Sequence, residues 1–321
     1  MPPHTDRSSQ AQAPADHGGG LDAAAMVNGG ARGDWLDLST GINPRPYPLP
    51  ELPADAWTAL PDTGATARLL AAARVFWKVP AKAAILAAPG ASALIAQIPR
   101  LCPPGAVHIP GPTYNEHARA FHAAGWTMAE PGAKAAVIVH PNNPDGRRHT
   151  APEGDLCVID ESFCDICPDD SLIAEAARPG RLILKSFGKF WGLAGLRLGF
   201  AIGDPVLIGT LAQSLGPWAV SGPALAIAAA ALEDEGWARD TRNRLGDDAD
   251  RLDGLMTRAG ARLVGGTPLF RLYDVSNAET WQSRLANAQI WTRIFPYSNT
   301  WLRLGLPGTE ADWLRIERAL G

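Results

Sequence analysis

Several residues that can do chemistry follow short apolar runs, at the points where buried strands would end. They supply an aromatic ring, an amide, a carboxylate, a hydroxyl, an amine and a guanidinium, in the order Tyr114, Asn143, Asp160, Ser186, Lys189 and Arg197. Together these groups suit a planar cationic ring that carries a phosphate and an aldehyde. The amine would bond to the aldehyde, the carboxylate would pair with the ring N–H, and the amide would bind a ring oxygen. Each residue alone has an ordinary structural explanation, so it is the joint pattern that predicts a site.

A short turn offers further contacts to the phosphate. Gly90-Ala91-Ser92 follows the apolar run Ala84-Ile85-Leu86 and opens a helical stretch. Small residues in such a turn let backbone N–H groups approach an anion at the positive end of the helix. Ser186 and Arg197 would add a hydroxyl and a bidentate guanidinium to the same phosphate.

The apolar runs predict a mostly parallel sheet that would bring these residues together. From about residue 64, short runs alternate with helical stretches, and several runs are continuously apolar, as in strands covered on both faces. Ligands of open parallel sheets bind beyond the carboxyl ends of the strands. The predicted strands cover 84–86, 107–109, 135–139, 156–159, 182–184 and 198–202, and the predicted helices 66–77, 92–101, 115–124 and 172–177.

The pattern changes after Pro223, which predicts a second domain. A long helical stretch over 224–250, broken near Gly236, precedes a strand at 269–273, a helix at 279–286, a strand at 301–306 and a terminal helix from Glu310. We therefore expect three parts. These are an N-terminal arm over 1–45 that joins the small domain, a large α/β domain over 46–223, and a smaller α+β domain over 224–321.

Composition argues against several classes of protein. The 321 residues are 46% apolar and 19% charged, with a net charge of −4, so neither nucleic acid nor an anionic membrane is indicated as a partner. No apolar run is long enough to cross a bilayer, and the first 20 residues lack a signal core, so we expect a cytoplasmic protein. Cys164 and Cys167 have the spacing of half a zinc site, but nothing in the sequence completes it, so no metal site is expected.

The motifs resemble those of a known family. Asn143-Pro144-x-Gly146, Asp160 and Ser186-x-x-Lys189 resemble the fold-type I family of pyridoxal-5′-phosphate enzymes, the aspartate aminotransferase superfamily, from about residue 36 onward. The resemblance implies that Lys189 bonds covalently to pyridoxal 5′-phosphate and that Asp160 pairs with the pyridine nitrogen. It also implies roles for the remaining residues. Asn143 would bind the ring oxygen, Tyr114 would stack on the ring, and the phosphate would be bound by Ser186, Arg197 and the turn of Gly90, Ala91 and Ser92.

The same resemblance implies a substrate contact and an assembly. Arg303, in Trp301-Leu302-Arg303-Leu304-Gly305, takes the place of the arginine that binds the substrate carboxylate, and the family usually forms homodimers. Two positions depart from the pattern. Phe163 and Leu60 stand where many relatives have tyrosines that contact the cofactor, the second of them across the subunit interface.

The N-terminal segment favours one reaction within the family. His17-Gly18-Gly19 and Leu36 to Pro44 resemble the opening of the threonine-phosphate decarboxylases of cobalamin biosynthesis, whose near relatives are the histidinol-phosphate aminotransferases. The expected reaction is decarboxylation of L-threonine O-3-phosphate to (R)-1-amino-2-propanol phosphate. His17, Asn43 and Arg293 are candidate ligands of the substrate phosphate. An aminotransferase acting on histidinol phosphate or a similar amino acid is the first alternative. A non-catalytic scaffold is the second, and the intact Lys189 argues against it.

Overall fold

Residues 17–321 are described by the structure, a computed structural model; residues 1–16 of the predicted N-terminal arm lie outside the described part. The helices there are α1 (Leu21–Asn28), α2 (Asp55–Thr58), α3 (Thr63–Phe76), α4 (Ala91–Gln97), α5 (Asn115–Ala123), α6 (Pro205–Leu215), α7 (Gly222–Glu233), α8 (Glu235–Arg258), α9 (Ala278–Asn287) and α10 (Glu310–Leu320). The strands are β1 (Leu36–Asp37), β2 (Ala84–Ala88), β3 (Ala106–His108), β4 (Thr127–Met128), β5 (Ala135–Val139), β6 (Leu156–Asp160), β7 (Arg181–Ser186), β8 (Gly199–Gly203), β9 (Arg262–Thr267), β10 (Phe270–Asp274), β11 (Ile290–Trp291), β12 (Arg293–Phe295) and β13 (Ser298–Gly305).

A seven-stranded sheet forms the centre of the fold in the order β2-β8-β7-β6-β5-β3-β4. Strand β8 runs antiparallel to both of its neighbours, and the remaining pairs are parallel. This arrangement confirms the predicted α/β class. In register, Asp160 at the end of β6 lies beside Val139 of β5 and Leu184 of β7. The carboxyl ends of these three strands therefore meet at one edge of the sheet.

Helices cover both faces of this sheet, which explains the continuous apolar character of its middle strands. Along β6, Ile159 packs in the cluster that contains residues of α3 and α7. Its neighbour Val158 packs in a second cluster, with residues of α4, α5 and α6. Because successive side chains of a strand point to opposite faces, apolar residues are needed at every position. Both residues are fully buried.

A second sheet is antiparallel and has the order β12-β13-β10-β9. Beside it, β1 from the N-terminal arm pairs in parallel with β11, with Leu36 opposite Ile290. The arm is further attached to β13, because the Gly305 N–H donates to the Leu38 carbonyl at 2.7 Å. Residues 36–38 are thus held against the C-terminal part of the chain.

The long helical stretch after Pro223 consists of two helices. Asp234 lies between them, and its side chain caps α8 by accepting a hydrogen bond from the Trp237 N–H at 2.9 Å. The break therefore comes at Asp234 and not at Gly236, which lies inside α8. Helix α7 packs against α2 and α3, so the predicted domain boundary after residue 223 falls inside a helix that covers the large sheet.

Over residues 17–321, no helix has both the length and the apolar character that a membrane span requires.

Candidate active site

A pocket opens where β6 and β7 end and α4 begins. All nine residues predicted to contact the cofactor line it: Gly90, Ala91, Ser92, Tyr114, Asn143, Asp160, Ser186, Lys189 and Arg197. They come from positions spread over about a third of the chain, and the parallel strands bring them together because their carboxyl ends share one edge of the sheet. Residues that follow one another in separate sequence motifs thus line a single pocket.

Asp160 is the buried anion of this pocket. Its Oδ2 lies 2.8 Å from Nε2 of His117, and its Oδ1 accepts hydrogen bonds from the Ser162 N–H at 3.0 Å and hydroxyl at 2.5 Å. Burial by itself raises the pKa of this carboxyl, but the hydrogen bonds and the charge of His117 outweigh it, and the pKa lies below its ordinary value. Asp160 is therefore ionised at neutral pH and can hold a proton on a pyridine nitrogen.

His117 and Ser162 were not among the residues predicted from the sequence. His117 lies in the first turn of α5, three residues after Tyr114, and its contact with Asp160 joins positions 43 residues apart. The rings of Tyr114 and His117 are 6.1 Å apart and edge-on. The spacing of three on a predicted helix is the one signal that could have placed His117 beside the site.

Lys189 lies in the turn beyond β7, with Nζ 5.2 Å from the centre of the Phe163 ring. Burial of the amine lowers its pKa most, and the positive charges of Arg303 and Arg197 lower it further. The negative charge of Asp160 opposes them, and the resulting pKa is about 8 instead of 10.5. A larger fraction of the amine is neutral at physiological pH than for an ordinary lysine. Such an amine is prepared for attack on an aldehyde.

Gly90 and Arg197 form a cradle suited to a phosphate. Gly90 has a φ of +90°, and a Cβ at this position would lie 2.8 Å from Nη2 of Arg197. Arg197 itself has a left-handed backbone with a φ of 51°, and its Nη1 donates to the Ala194 carbonyl at 3.0 Å. Only glycine lets the guanidinium lie this close to the turn that starts α4.

A second pocket adjoins the first and shares Tyr114, Asn143, Phe163 and Lys189 with it. Arg303 lies on its wall, and its guanidinium donates to the Asn143 side-chain oxygen and, at 2.6 Å, to the Ser39 carbonyl. Burial, followed by the charge of Arg293, lowers the pKa of Arg303 to about 10. Its buried Nε has no hydrogen-bond partner in the described part of the protein.

Two further predicted residues lie on the wall of this second pocket. His17 lies with its Nε2 3.1 Å from the Glu116 carboxylate, and Nη1 of Arg293 donates to the His17 carbonyl at 2.9 Å. Arg293 also lies over the Phe295 ring, 5.3 Å from its centre. The pocket therefore has arginines on strands β12 and β13 of the second sheet and an imidazole on the N-terminal arm.

Asn43 does not reach either pocket, which corrects its candidate role as a ligand of the substrate phosphate. Its side chain is 1% exposed, donates to the Phe190 carbonyl at 2.9 Å and accepts from Arg244 at 2.9 Å. The physical reason is the direction of the arm, which passes behind the lysine turn and points this amide into the protein.

The residues present fit pyridoxal 5′-phosphate. The pocket combines a lysine amine of lowered pKa, an ionised buried carboxylate and a glycine turn against an arginine, which match the aldehyde, the ring nitrogen and the phosphate of that group. Phe163, at the position where many relatives have tyrosine, presents a ring without a hydroxyl beside Lys189.

Comparisons with known proteins agree with this geometry. Residues 130–319 match the family model of aminotransferase class I and II. A threonine-phosphate decarboxylase from Sinorhizobium sp is 41% identical over 332 residues, covering 96% of this chain and 98% of that relative. A threonine-phosphate decarboxylase from Pseudomonas aeruginosa is 39% identical over 326 residues, covering 95% of this chain and 97% of that relative.

The fold also matches a solved structure. Histidinol-phosphate aminotransferase from Sinorhizobium meliloti, in complex with pyridoxal-5′-phosphate, has a TM-score of 0.80 with 19% identity, covering 94% of this chain and 95% of that chain. At that identity the likeness shows a shared fold. The family match and the two relatives of nearly full length confirm the resemblance seen in the motifs, and the chain belongs to the class I and II aminotransferase family of fold-type I enzymes.

Proposed function

We propose that this chain is a lyase that uses pyridoxal 5′-phosphate to decarboxylate L-threonine O-3-phosphate, forming (R)-1-amino-2-propanol phosphate and CO₂ for cobalamin biosynthesis. The observation that carries the proposal is the identity of 41% and 39%, over nearly the whole chain, to two threonine-phosphate decarboxylases. The two arginines and the histidine around the second pocket support it. Arg303 lies on the wall near Lys189, and Arg293 and His17 lie farther along the arm and β12.

The cofactor-binding residues have distinct tasks in this proposal. When bound at Lys189, pyridoxal 5′-phosphate supplies an electron sink for the negative charge that develops at the substrate Cα when a bond there breaks. Asp160, kept ionised by His117 and Ser162, holds a proton at the ring nitrogen and so keeps that sink effective. Arg197 and the turn at Gly90 bind the phosphate and fix the position of the ring.

The orientation of the substrate decides which bond breaks, because the bond perpendicular to the ring is the labile one. Arg303, on the wall of the second pocket, would bind the substrate carboxylate through its guanidinium. Arg293 and His17 would bind the substrate phosphate, and this second anchor turns the substrate about Cα so that the carboxylate leaves as CO₂. Lys189 in its ammonium form then donates one proton to Cα in place of the departed carboxylate, and takes up another from solvent.

We also propose that the protein works as a cytoplasmic homodimer. The family membership supports the dimer, since the related enzymes usually place their active sites at a subunit interface.

Release of CO₂ from L-threonine O-3-phosphate in the absence of any keto acid tests the proposal. The purified protein with pyridoxal 5′-phosphate should release CO₂ and form the amino alcohol phosphate, while unphosphorylated threonine should react far more slowly. Lys189→Ala serves as the inactive control. If product forms only when 2-oxoglutarate is added, the chain is an aminotransferase and the proposal fails.

A further inference from the structure

A buried asparagine of the N-terminal arm holds the backbone of the turn that carries Lys189. The Asn43 N–H donates to the Lys189 carbonyl at 3.0 Å, and the Asn43 side-chain amide donates to the Phe190 carbonyl at 2.9 Å. Two residues of this turn are thus bound by one residue of the arm. The contact joins positions 147 residues apart in the chain.

The arm continues along the same turn. The Tyr47 N–H donates to the Trp191 carbonyl at 2.9 Å, so three consecutive carbonyls, from Lys189 to Trp191, accept hydrogen bonds from the arm. The approach is close, because a Cβ at Gly192 would lie 2.8 Å from the Asn43 carbonyl oxygen. The backbone at Lys189 therefore has little freedom to move while the arm is in place.

Both functions of the Asn43 amide are engaged. While its nitrogen donates to Phe190, its oxygen accepts from Nη2 of Arg244 at 2.9 Å and from the Arg45 N–H at 3.0 Å. Arg244 belongs to α8 and is held in turn by Asp248, at 3.2 Å. Removal of the amide would leave a buried carbonyl and a guanidinium without this partner, which is costly in a desolvated position.

The arm also contacts the other side of the active site. Four residues before Asn43, the Ser39 carbonyl accepts a hydrogen bond from Arg303 at 2.6 Å. A short run of backbone therefore connects the guanidinium on the wall of the second pocket to the turn that carries the amine. This run fixes the separation between the two groups more firmly than the turn alone could.

We propose that Asn43 is a positioning residue that sets Lys189 relative to Arg303 and to the pyridoxal 5′-phosphate site. The proposal rests on the proposed function for the presence of the cofactor, and it does not depend on the identity of the amino acid substrate. Asn43 acts through the backbone of Lys189 and Phe190 and touches neither pocket. Its partner Arg244 fixes the orientation of the amide.

The charges around Lys189 give the direction of the expected effect. Burial, Arg303 of β13 and Arg197 disfavour positive charge on this nitrogen, while Asp160 of β6 and Asp37 of the arm favour it. A turn released from the arm lets the nitrogen move toward solvent and away from Arg303. Desolvation and Arg303 are the largest influences, so release makes protonation easier and raises the pKa of the nitrogen that joins the cofactor.

A titration of cofactor absorbance against pH measures the pKa of the imine that this nitrogen forms with the cofactor, and the same neighbouring charges act on that imine. With Asn43→Ala, loaded with pyridoxal 5′-phosphate, we expect the midpoint to rise by about half a unit or more. With Arg244→Gln, which leaves the amide but removes one of its partners, we expect a smaller rise. Tyr47→Phe is the matched control, since it removes a buried hydroxyl of the same arm that donates to the Ala230 carbonyl at 3.3 Å, away from Lys189. Its midpoint should equal that of the unaltered protein.

The outcomes separate the inference from the proposed function. If the unaltered protein forms no titratable absorbance band with pyridoxal 5′-phosphate, the proposed cofactor is wrong and the inference falls with it. If that band forms and Asn43→Ala titrates like the unaltered protein, or Tyr47→Phe shifts as much, Asn43 does not position Lys189. Should Asn43→Ala fail to fold, Arg244→Gln decides: an unshifted midpoint overturns the inference and a raised one supports it.

Discussion

Nε2 of His117 lies 2.8 Å from Oδ2 of Asp160, and both side chains are buried, with Asp160 on the wall of the cofactor pocket and His117 outside that wall. This contact is the reason that a carboxyl surrounded by protein keeps a pKa below its ordinary value, since burial alone would raise that pKa. The charge of Asp160 therefore depends on a residue that does not line the pocket.

His117→Phe should move the acid limb of the activity profile to higher pH. Phenylalanine keeps the packing but removes the hydrogen bond, which leaves Asp160 with Ser162 as its remaining donor. Hydrogen bonds to charged groups are worth about 1.5–3 kcal/mol, so we expect the pKa of Asp160 to rise when this one is removed. In the unaltered protein the Asp160 carboxylate stays charged until the pH falls below its lowered pKa. In the variant this charge is lost at a higher pH. A profile of kcat/KM against pH that keeps its acid limb would contradict this role.

Arg303→Met should raise KM for the phosphorylated amino acid by about 10- to 100-fold, because a charged hydrogen-bond donor to the substrate carboxylate is lost. Arg262→Met is the control, since Arg262 lies on the edge strand β9 of the same four-stranded sheet and pairs with Asp274 at the surface. A surface ion pair contributes about 1 kcal/mol or less, and this variant should keep its KM. An unchanged KM in Arg303→Met would show that Arg303 does not bind the substrate carboxylate.

Lys189→Met should stabilise the protein prepared without cofactor at pH 7. The pKa of Lys189 is lowered from 10.5 to about 8, so burying the charged amine costs about 3 kcal/mol at pH values below 8. That cost is relieved as the pH rises from 8 to 10.5, because the folded protein then binds fewer protons than the unfolded chain. In denaturant unfolding, Lys189→Met should have a higher free energy of unfolding than the unaltered protein at pH 7 and the same free energy near pH 11.

Lys185→Met should change the free energy of unfolding in the opposite direction, and so lower it. Nζ of Lys185 lies 2.7 Å from the Glu161 carboxylate and 3.4 Å from that of Asp165, all of them buried. Burial alone lowers the pKa of Lys185, but these two carboxylates raise it above its ordinary value. Removal of this cation leaves buried carboxylates unpaired and should cost about 3–5 kcal/mol. If both lysine variants change the free energy of unfolding in the same direction at pH 7, the difference between their environments is not as described.

Much of the central sheet could be predicted from local pattern. The run Ala135 to Val139 gave both bounds of β5, because a continuous apolar run flanked by polar residues has no other place in a soluble domain. Helix α10 begins at Glu310 as expected, where Thr309 and Asp312 form a capping box.

Other elements had no local signal. Strand β9 holds two glycines and three exposed residues at its start, so neither propensity nor alternation indicates a strand, and its pairing with β10 provides the stability. Helix α1 follows glycines and has no side-chain cap. Both form because of tertiary contacts that a reading of short segments does not include.

The candidate site likewise contains residues whose roles the sequence predicted and residues whose roles it did not. Residues that would touch the cofactor were predicted because each has its own motif at the end of a strand. His117 and Asn43 act on those residues from behind, through contacts that join positions 43 and 147 residues apart. Such roles follow from how the strands, α5 and the arm pack, and apart from the spacing of Tyr114 and His117 no pattern in the sequence indicates them.

Gly90→Ala should weaken binding of pyridoxal 5′-phosphate by about 10- to 100-fold, since the added Cβ would displace Arg197 and a φ of +90° is unfavourable for alanine. Gly209→Ala is the control, because Gly209 lies within α6, and a Cβ there would meet nothing within 4 Å. That variant should bind cofactor normally and gain about 0.5–1 kcal/mol of stability. Equal dissociation constants for Gly90→Ala and the unaltered protein, from absorbance titration with the cofactor, would show that the turn does not cradle the phosphate.

The most direct test of the account is to locate the lysine that carries the cofactor. Borohydride reduction of the protein loaded with pyridoxal 5′-phosphate, followed by peptide mass spectrometry, identifies the labelled side chain among Lys78, Lys82, Lys134, Lys185 and Lys189. The label is expected on Lys189, and it should disappear in Lys189→Ala. Label on any of the other four lysines, or an unlabelled Lys189, would contradict it.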